Sequence, residues 1–506
     1  MNRHEILNGL SVTGPEMVLA VALFGVILVD LTRLRVLAPF VGLLGLAGAG
    51  VLEFMQLGHP EKSVFAHAYA VDGLSAFFKL TFLGAALLVA ILSIPAIRGW
   101  STGKGEFFAL LLSCTFGMLL MSSANDLLLM YLSLEFVSIT SYILAGLLQK
   151  NRKSAEASLK YIIYGAAASG LMIYGMSFLY GLTGTLDIAL IGKELARPDA
   201  NIPPTLTLIT SVLIMAGFGY KIAAVPFHMW CPDVYEGAPT PVTAFFSVGP
   251  KAAGFAMLVR FVLNIYPTEG GPFEWKLVVA LLAVLTMAIG NFGAIPQQNL
   301  KRLLAYSSIA HAGYLLIAFN AFSDSSRASI AAMLAYLFIY VVMNLGAFLV
   351  VIVLEEKYGI ETVDGCRGLG WRSPGIGALM TVFMISLTGL PPTAGYTGKF
   401  LLFSAVVNHG LGPQRQLGIA LVVIAVVFSV VSLFYYMRIV AAMYLGKVRE
   451  GDLTEPVPAG PTYMGLLGLL GAATIFLGVS WGWLQWMTDR AAHSIILPAL
   501  RDALIR

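Results

Sequence analysis

Ionisable side chains interrupt several long apolar runs of this sequence. Glu135, Lys221, Lys251, His311 and Lys399 all fall well inside such runs. A charge at the centre of a bilayer costs ~3 kcal/mol on insertion scales, so such side chains face a bundle interior or a hydrated cavity. A desolvated lysine releases its proton more readily, a nearby carboxylate helps to retain it, and a histidine relays protons near neutral pH. These residue types predict a buried path for protons.

Each member of this set also has a purely structural interpretation. Lys79 and Lys160 lie nearer the ends of their apolar runs, where a lysine can extend its amine to the membrane interface. Glu135 with a lysine can be a packing ion pair, although buried pairs stabilise weakly. His311 is equally compatible with a hydrogen-bonded core histidine, and Arg260 is interpreted as interfacial.

Motifs for redox, metal and nucleotide chemistry are missing from the sequence. It contains no Walker loop, no dinucleotide fingerprint and no iron–sulfur spacing. Its three cysteines, Cys114, Cys231 and Cys366, are widely separated and predicted to be packing residues. Redox or nucleotide energy must therefore reach this chain through another polypeptide.

Composition places the whole chain in a membrane. Of 506 residues, 58% are hydrophobic and 11% are charged, whereas soluble domains carry about 25% charged residues. The net charge of +4 gives no reason to expect a nucleic-acid partner. Apolar runs of about twenty residues recur throughout, and in lipid they must be helices. We predict an all-α polytopic membrane protein with spans at 15–31, 36–57, 73–97, 105–122, 126–149, 157–183, 205–230, 241–265, 272–294, 299–319, 327–355, 375–407, 416–445 and 461–486.

Loop charge predicts the orientation. Basic residues concentrate in alternate loops, and this side is cytoplasmic by the positive-inside rule. We call it the basic side, defined by Arg33, Arg35, Arg98, Lys104, Lys150, Arg152, Lys153, Lys301, Arg302, Lys357, Arg367, Arg372, Lys447 and Arg449.

Two spans contain helix-breaking residues. Pro226 interrupts the end of 205–230, and Pro391 and Pro392 interrupt 375–407. Each is the fourth span in a group of five, which indicates two inverted repeats with an ion site at each break. The predicted divisions are an N-terminal segment 1–104, repeats 105–265 and 266–446, and a C-terminal segment 447–506.

The segment between the first broken span and the next one is distinctive. Residues 226–242 read PFHMWCPDVYEGAPTPV, in which Asp233 and Glu236 are the only acids. On the basic side this predicted loop is either a mouth that collects protons or a rigid connector. The segment resembles the signature of the antiporter-like subunits of complex I, a family that also includes cation/proton antiporters and membrane-bound hydrogenases. Similar matches are VDGLS at 71–75, NDL at 125–127, KRLLAYSSI at 301–309, and LPP at 390–392 with the lysine that follows.

The resemblance covers nearly the whole chain and implies roles for individual residues. Glu135 and Lys221 would be the coupled pair of the first half-channel, with Lys160 close to it. Lys251 would be the central relay and Lys399 the exit. His228 and His311 match family histidines.

The resemblance also implies surroundings. The chain would be a proton-translocating subunit of a respiratory NADH:quinone oxidoreductase in a bacterial inner membrane. NADH, FMN, iron–sulfur clusters and quinone would be used by partner subunits, with no cofactor in this chain. Its neighbours would be subunits K, M and J and membrane lipid. Two alternatives stay open from the residues themselves: a sodium/proton antiporter component, or a scaffold that transports nothing.

Overall fold

The computed structural model describes residues 9–58, 61–100, 103–197, 202–266, 275–322, 327–410, 412–447, 456 and 459–495. Within these residues, 12 helices are long and apolar enough to cross a membrane. The 17-residue helix Gly14–Asp30 and a span split into Pro374–Thr388 and Ala394–Val407 supply two more. The prediction of an all-α membrane protein with about fourteen spans is therefore confirmed.

The helices follow one another closely along the chain. In order they are α1 (Gly14–Asp30), α2 (Ala38–Gln56), α3 (Gly73–Ala96), α4 (Lys104–Ser123), α5 (Leu127–Ala145), α6 (Arg152–Thr183), α7 (Ile188–Leu195), α8 (Pro204–Ile222), α9 (Trp230–Gly237), α10 (Thr240–Ile265), α11 (Trp275–Ala294), α12 (Leu300–Leu316), α13 (Ala328–Tyr358), α14 (Leu369–Arg372), α15 (Pro374–Thr388), α16 (Ala394–Val407), α17 (Gly412–Leu445), α18 (Pro461–Val479) and α19 (Gly482–His493).

A small hairpin precedes α3. Strands β1 (Lys62–Val64) and β2 (Tyr69–Val71) pair antiparallel, with Lys62 opposite Val71. Asp72 then caps α3 by accepting a hydrogen bond from the Ser75 amide, and the Ser75 hydroxyl pairs with the Asp72 backbone in return. The hairpin thus carries Tyr69 and Asp72 inward against the helices.

Two spans are broken where the sequence places proline. Helix α8 ends at Ile222, Ala223 adopts a left-handed conformation with φ of 58°, and α9 begins at Trp230. Helix α15 ends at Thr388, Gly389 has φ of 91°, and α16 begins at Ala394. With the short α7 and α14 left out, each broken span is the fourth of five, as predicted.

Three details of the prediction are wrong. The helix predicted at 205–230 stops at Ile222, so Asp233 and Glu236 lie on the short helix α9 and not in a loop. The helix predicted at 461–486 is interrupted at Ser480, and α19 follows it.

Residues 272–274 of a predicted span, and Arg449, lie outside the described residues. The divisions at 104, 265 and 446 stay predictions.

Helix α10 forms the centre of the bundle. Nearly all of its residues are buried, and it packs against α3, α4, α5, α8, α12 and α13. Peripheral helices instead expose large apolar side chains, such as Val21, Leu44 and Leu445. Those outward apolar faces suit lipid, whereas the inward positions of α10 hold the polar groups described next.

Candidate functional site

Lys221 lies in the last turn of α8, directly before the first break. Its side chain is 2% exposed, and its Nζ donates to the Ser138 Oγ of α5 at 3.1 Å. Glu135 lies one turn before Ser138 on α5. Within the described residues no direct ion pair joins them, and Glu135 Oε1 is buried without a hydrogen-bond partner. The two charges are thus neighbours separated by a gap.

Lys221 also lies close to Lys251 along α10. A Cβ atom added to Gly254 would lie 3.1 Å from Lys221 Cγ, so the Lys221 stem packs on the Gly254 backbone. Gly254 is three residues after Lys251, which is one helical turn. Helix α10 therefore connects the first broken span, through the contact at Gly254, with Lys251 in the middle of the bundle.

Lys251 is 4% exposed and contacts the backbone and side chain of α12. Its Nζ donates to the Ser308 carbonyl at 3.2 Å and also contacts Ser308 Oγ. A small internal cavity, with room for about one water molecule, is lined by Lys251, Ser308, His311 and Tyr340. Lys251 and His311 thus face one shared space.

His311 connects that space with the second half of the bundle. Its Nδ1 is 2.6 Å from the Tyr336 hydroxyl, and its Nε2 is 3.2 Å from the Tyr436 hydroxyl. The Tyr314 ring lies against the imidazole, with centroids 5.7 Å apart, and the Lys399 amine lies 4.6 Å from the same Tyr314 ring. Hydroxyl and aromatic groups thus fill the interval between His311 and Lys399.

Lys399 uses the backbone groups that the second break leaves free. Because α15 ends at Thr388, its last carbonyls have no helical partner. Lys399 Nζ donates to the Thr388 carbonyl at 2.8 Å, the Leu387 carbonyl at 3.4 Å and the Ser429 hydroxyl at 3.1 Å. The lysine predicted at this broken helix is therefore held by the break itself.

A cleft of about 540 Å³ begins at Lys399. It runs beside α16 past Ser404 to Asn408, where that helix ends on the side away from the basic loops. A second cavity of about 440 Å³ shares Ser404 and Asn408 and adds Gln485 and Asp489. The two cavities therefore extend from Lys399 to the end of α16 that lies away from the basic loops.

Lys160 belongs to a different cluster, on the basic side. It lies in the third turn of α6, and its Nζ contacts Asp233 at 2.7 Å and Glu156 at 2.9 Å. Arg302 contacts the same Asp233 at 2.6 Å and Glu236 at 3.2 Å. We call Lys160, Asp233, Glu236 and Arg302 the mouth cluster, because together they line a cavity of about 240 Å³.

Asp233 is the ionised centre of the mouth cluster. Burial raises the pKa of its carboxyl, but hydrogen bonds from Lys160 and Arg302 outweigh burial and leave the pKa below its usual range. The cluster fastens α9 to α6 and α12. This geometry matches a rigid connector at the rim of an opening lined by charged side chains.

His228 lies between the halves of the first broken span. It is 8% exposed, and its Nδ1 has no hydrogen-bond partner. No described contact joins it to Lys221 or Lys251. The structure therefore places it at the break but does not connect it to the row.

Two sequence interpretations are wrong. Lys79 does not extend to the interface: it is 1% exposed and pairs with Glu16 at 2.9 Å. Arg260 is not interfacial: it is fully buried and holds Asp72 with two hydrogen bonds of 2.8 and 2.9 Å.

Sequence reasoning missed the neutral groups that hold the row together. Their residue types are common in apolar helices, so nothing in a single sequence marks them; they are Ser138, Ser308, Tyr314, Tyr336, Ser429 and Tyr436. One signal was available for Glu16 and Glu53, since both are acids within apolar runs.

Comparison with known proteins gives the lineage of this architecture. Residues 124–432 match the family model described as NADH:quinone oxidoreductase/Mrp antiporter, transmembrane. NADH-quinone oxidoreductase subunit N 2 of Sorangium cellulosum is 44% identical over 92% of this chain and 94% of its own length. The protein of the same name from Chloroherpeton thalassium is 42% identical over 93% of this chain and 92% of its own length.

A solved structure agrees with this assignment. A chain of respiratory complex I from Thermus thermophilus, solved with bound aureothin, superposes with a TM-score of 0.77 at 32% identity. The match covers 93% of this chain and 98% of that one. The arrangement of a lysine at each of two broken helices therefore occurs in a chain that belongs to the NADH:quinone oxidoreductase/Mrp antiporter family of membrane subunits.

Proposed function

We propose that this chain is the proton-translocating subunit N of a respiratory NADH:quinone oxidoreductase. The observation that carries the proposal is the lysine row, Lys221, Lys251 and Lys399, which is buried and linked through His311. Each lysine amine contacts hydroxyl or carbonyl oxygens and no described carboxylate. Such lysines can exchange protons, because no carboxylate in direct contact holds the proton on the amine.

Uptake in this proposal begins on the basic side. The mouth cluster lines an opening beside α6 and α9, and Glu135 and Lys221 lie deeper on α5 and α8. Movement of Glu135 towards Lys221 favours the protonated amine, and movement away favours release.

Transfer continues along α10 and α12. Lys251 accepts the proton that Lys221 releases and passes it to His311 across their shared cavity. His311 hands it on beside Tyr314 to Lys399, whose cleft opens on the opposite side. His228 at the first break is proposed as an accessory group on the uptake side.

Redox chemistry in this proposal belongs to other polypeptides. The names of the relatives place NADH and quinone in their complex, and its flavin and iron–sulfur clusters would be held by partner subunits. In the described part of this chain no three histidine, cysteine or acidic side chains come together as metal ligands. Subunits K, M and J are the proposed membrane neighbours.

The direct test replaces Lys221 by methionine in the assembled complex and measures NADH-driven proton pumping and quinone reduction in vesicles. We expect both to fall by about a hundredfold or more, the low end of what a positioned proton-transfer group contributes. Glu135→Gln should weaken pumping in the same direction. The matched control is Lys150→Met, which removes an exposed lysine on the same side of the membrane.

The test distinguishes the alternatives. Wild-type pumping in an intact Lys221→Met complex would remove this residue from the path. Sodium-dependent exchange in vesicles without an electron donor would identify an antiporter component. Loss of assembly in Lys221→Met and Lys399→Met, with normal pumping in whatever assembles, would identify a scaffold.

A further inference from the structure

A second buried ionic cluster lies outside the lysine row, among the three N-terminal helices. Lys79 of α3 contacts Glu16 Oε1 of α1 at 2.9 Å and Glu53 Oε2 of α2 at 3.7 Å. The Tyr69 hydroxyl of β2 accepts from Lys79 at 2.8 Å and donates to Glu16 at 2.5 Å. We call these four residues the N-terminal cluster.

The N-terminal cluster is deeply buried and its charges do not balance. Glu16 and Glu53 are each 3% exposed, Lys79 is 1% exposed and Tyr69 is 2% exposed. Two carboxylates face one ammonium, since a tyrosine hydroxyl is neutral near pH 7. A buried uncompensated carboxylate is strongly unfavourable, so the set is satisfied when it holds one added proton.

Two oxygen atoms are available to bind that proton. Glu16 Oε2 and Glu53 Oε2 are both buried and have no hydrogen-bond partner. Glu53 Oε2 lies within ion-pair distance of Lys79 but is too distant for a hydrogen bond. An ion pair that serves only packing requires one carboxylate beside the lysine. This cluster has two carboxylates, and each has one oxygen atom without a hydrogen-bond partner.

A cleft borders one edge of the cluster. It has a volume of about 460 Å³ and is lined by Glu16, Tyr69, Thr13 and Asp126, together with apolar side chains of α1, α4, α5 and the hairpin segment. Asp126 caps α5 through the Leu128 and Leu129 amides. The first residues of α1 and of α5 lie with the hairpin on the side away from the basic loops, which is also the side of the Lys399 cleft.

We propose that the N-terminal cluster is a proton-binding site that exchanges one proton with the cleft. A hydronium ion in the cleft gives its proton to Glu16 Oε2, which forms an O–H bond and leaves a water molecule behind. Lys79 keeps its own proton and neutralises whichever of Glu16 and Glu53 stays ionised. The charged and titratable groups around the site are Glu16, Glu53, Lys79 and Tyr69, with Asp126 at the rim. This inference does not depend on the role proposed for the lysine row.

The test uses the purified complex that contains this chain and reads the protonation of carboxyl groups directly. Infrared difference spectra between acidic and alkaline buffer are recorded in potassium salts, in H₂O and in D₂O. We expect a carboxyl C=O band that shifts in D₂O and that disappears in Glu53→Gln and in Glu16→Gln. The control is Glu106→Gln, which alters an exposed acid in the first turn of α4, beside the basic loops. It should leave this band unchanged.

Conservative variants keep the test informative if a glutamine variant does not assemble. Glu53→Asp should retain the exchangeable band at a shifted position, because it retains the carboxyl group. The proposal is overturned if the wild type shows no exchangeable buried carboxyl band, or if both glutamine variants keep it. A titration midpoint that moves when sodium replaces potassium would also overturn it, by identifying a sodium site.

Discussion

The partners of each lysine divide the buried lysines into two groups. Lys221, Lys251 and Lys399 donate to serine hydroxyls or backbone carbonyls. Lys79 and Lys301 instead face carboxylates, at 2.9 Å from Glu16 and 3.6 Å from Glu355. An opposite charge holds a proton on an amine, whereas a neutral acceptor beside a desolvated amine does not. Partner chemistry thus separates lysines beside a carboxylate from lysines whose direct contacts are neutral oxygens.

Lys399→Arg tests this distinction. Arginine keeps the positive charge and the donors for the Thr388 carbonyl, but it cannot lose its proton in a protein. We expect normal assembly and a fall in NADH-driven pumping of about a hundredfold or more. Proton pumping by the complex in vesicles measures the effect.

Lys301→Arg is the matched control, because Lys301 is equally buried but paired with Glu355. It should pump at nearly the wild-type rate. Equal pumping by Lys399→Arg and the wild type would show that Lys399 acts only as a fixed charge.

Asp233 gives a prediction about pH. The pKa of its carboxyl lies below the usual range despite burial, because Lys160 and Arg302 donate to it. A carboxyl whose pKa is lowered on folding stabilises the protein above its ordinary pKa, and this contribution is lost as the pH falls through the lowered value. Asp233 therefore stays ionised from about pH 5.5 to 8.5.

We expect Asp233→Asn to lower the stability of the complex by ~1 kcal/mol or less at a partly exposed cluster. Its activity–pH profile should keep the wild-type midpoints over that range, and thermal inactivation should be faster by the same factor at each pH. A displaced midpoint would instead show that Asp233 titrates during turnover and collects protons at the mouth.

At the scale of helices, the lysines of the row are positioned by helix breaks and by close contacts between helices. A continuous helix would satisfy the carbonyls of Leu387 and Thr388 internally, and Lys399 would lose those acceptors. On α10 the absence of a side chain at residue 254 makes room for Lys221. The elements therefore position the lysines through gaps in regular structure.

Gly254→Val tests the close contact on α10. Its Cβ would lie 2.9 Å from Ile222 and 3.1 Å from Lys221, and overpacking of this kind costs ~1–3 kcal/mol. We expect Lys221 to be displaced and pumping to fall several-fold more than assembly does. Gly84→Val on α3 is the control, since nothing lies within 4 Å of its added Cβ. Equal effects of the two variants on pumping would rule out a specific contact with Lys221.

At the scale of the whole molecule, the sequence was sufficient for the spans, both breaks and the lysine row. Apolar length and proline position depend on local sequence, so they can be read directly. It was not sufficient for the partners of Lys79 or Arg260, because Glu16, Glu53 and Asp72 come from distant parts of the chain. The sequence was also not sufficient for helix α9, because prolines in and around this segment predict a loop. The domain divisions and the roles of individual residues stay predictions.

One contact joins the N-terminal segment to the central helix. Arg260 of α10 holds Asp72, which also caps α3, and both side chains are fully buried. Arg260 donates further to the Ser122 carbonyl at the end of α4. This pair therefore fixes the N-terminal helices on the helix that carries Lys251.

Removing either charge alone should damage assembly more than removing both. Asp72→Asn keeps the cap on α3 but leaves Arg260 buried without a countercharge, which costs ~3–5 kcal/mol. We expect much less assembled complex in membranes for Asp72→Asn and for Arg260→Met, and substantial recovery in the double variant. Asp126→Asn, which changes a similar cap on α5, should assemble normally. Additive losses in the double variant would mean that the two residues act independently and that α3 is fixed to α10 by apolar packing alone.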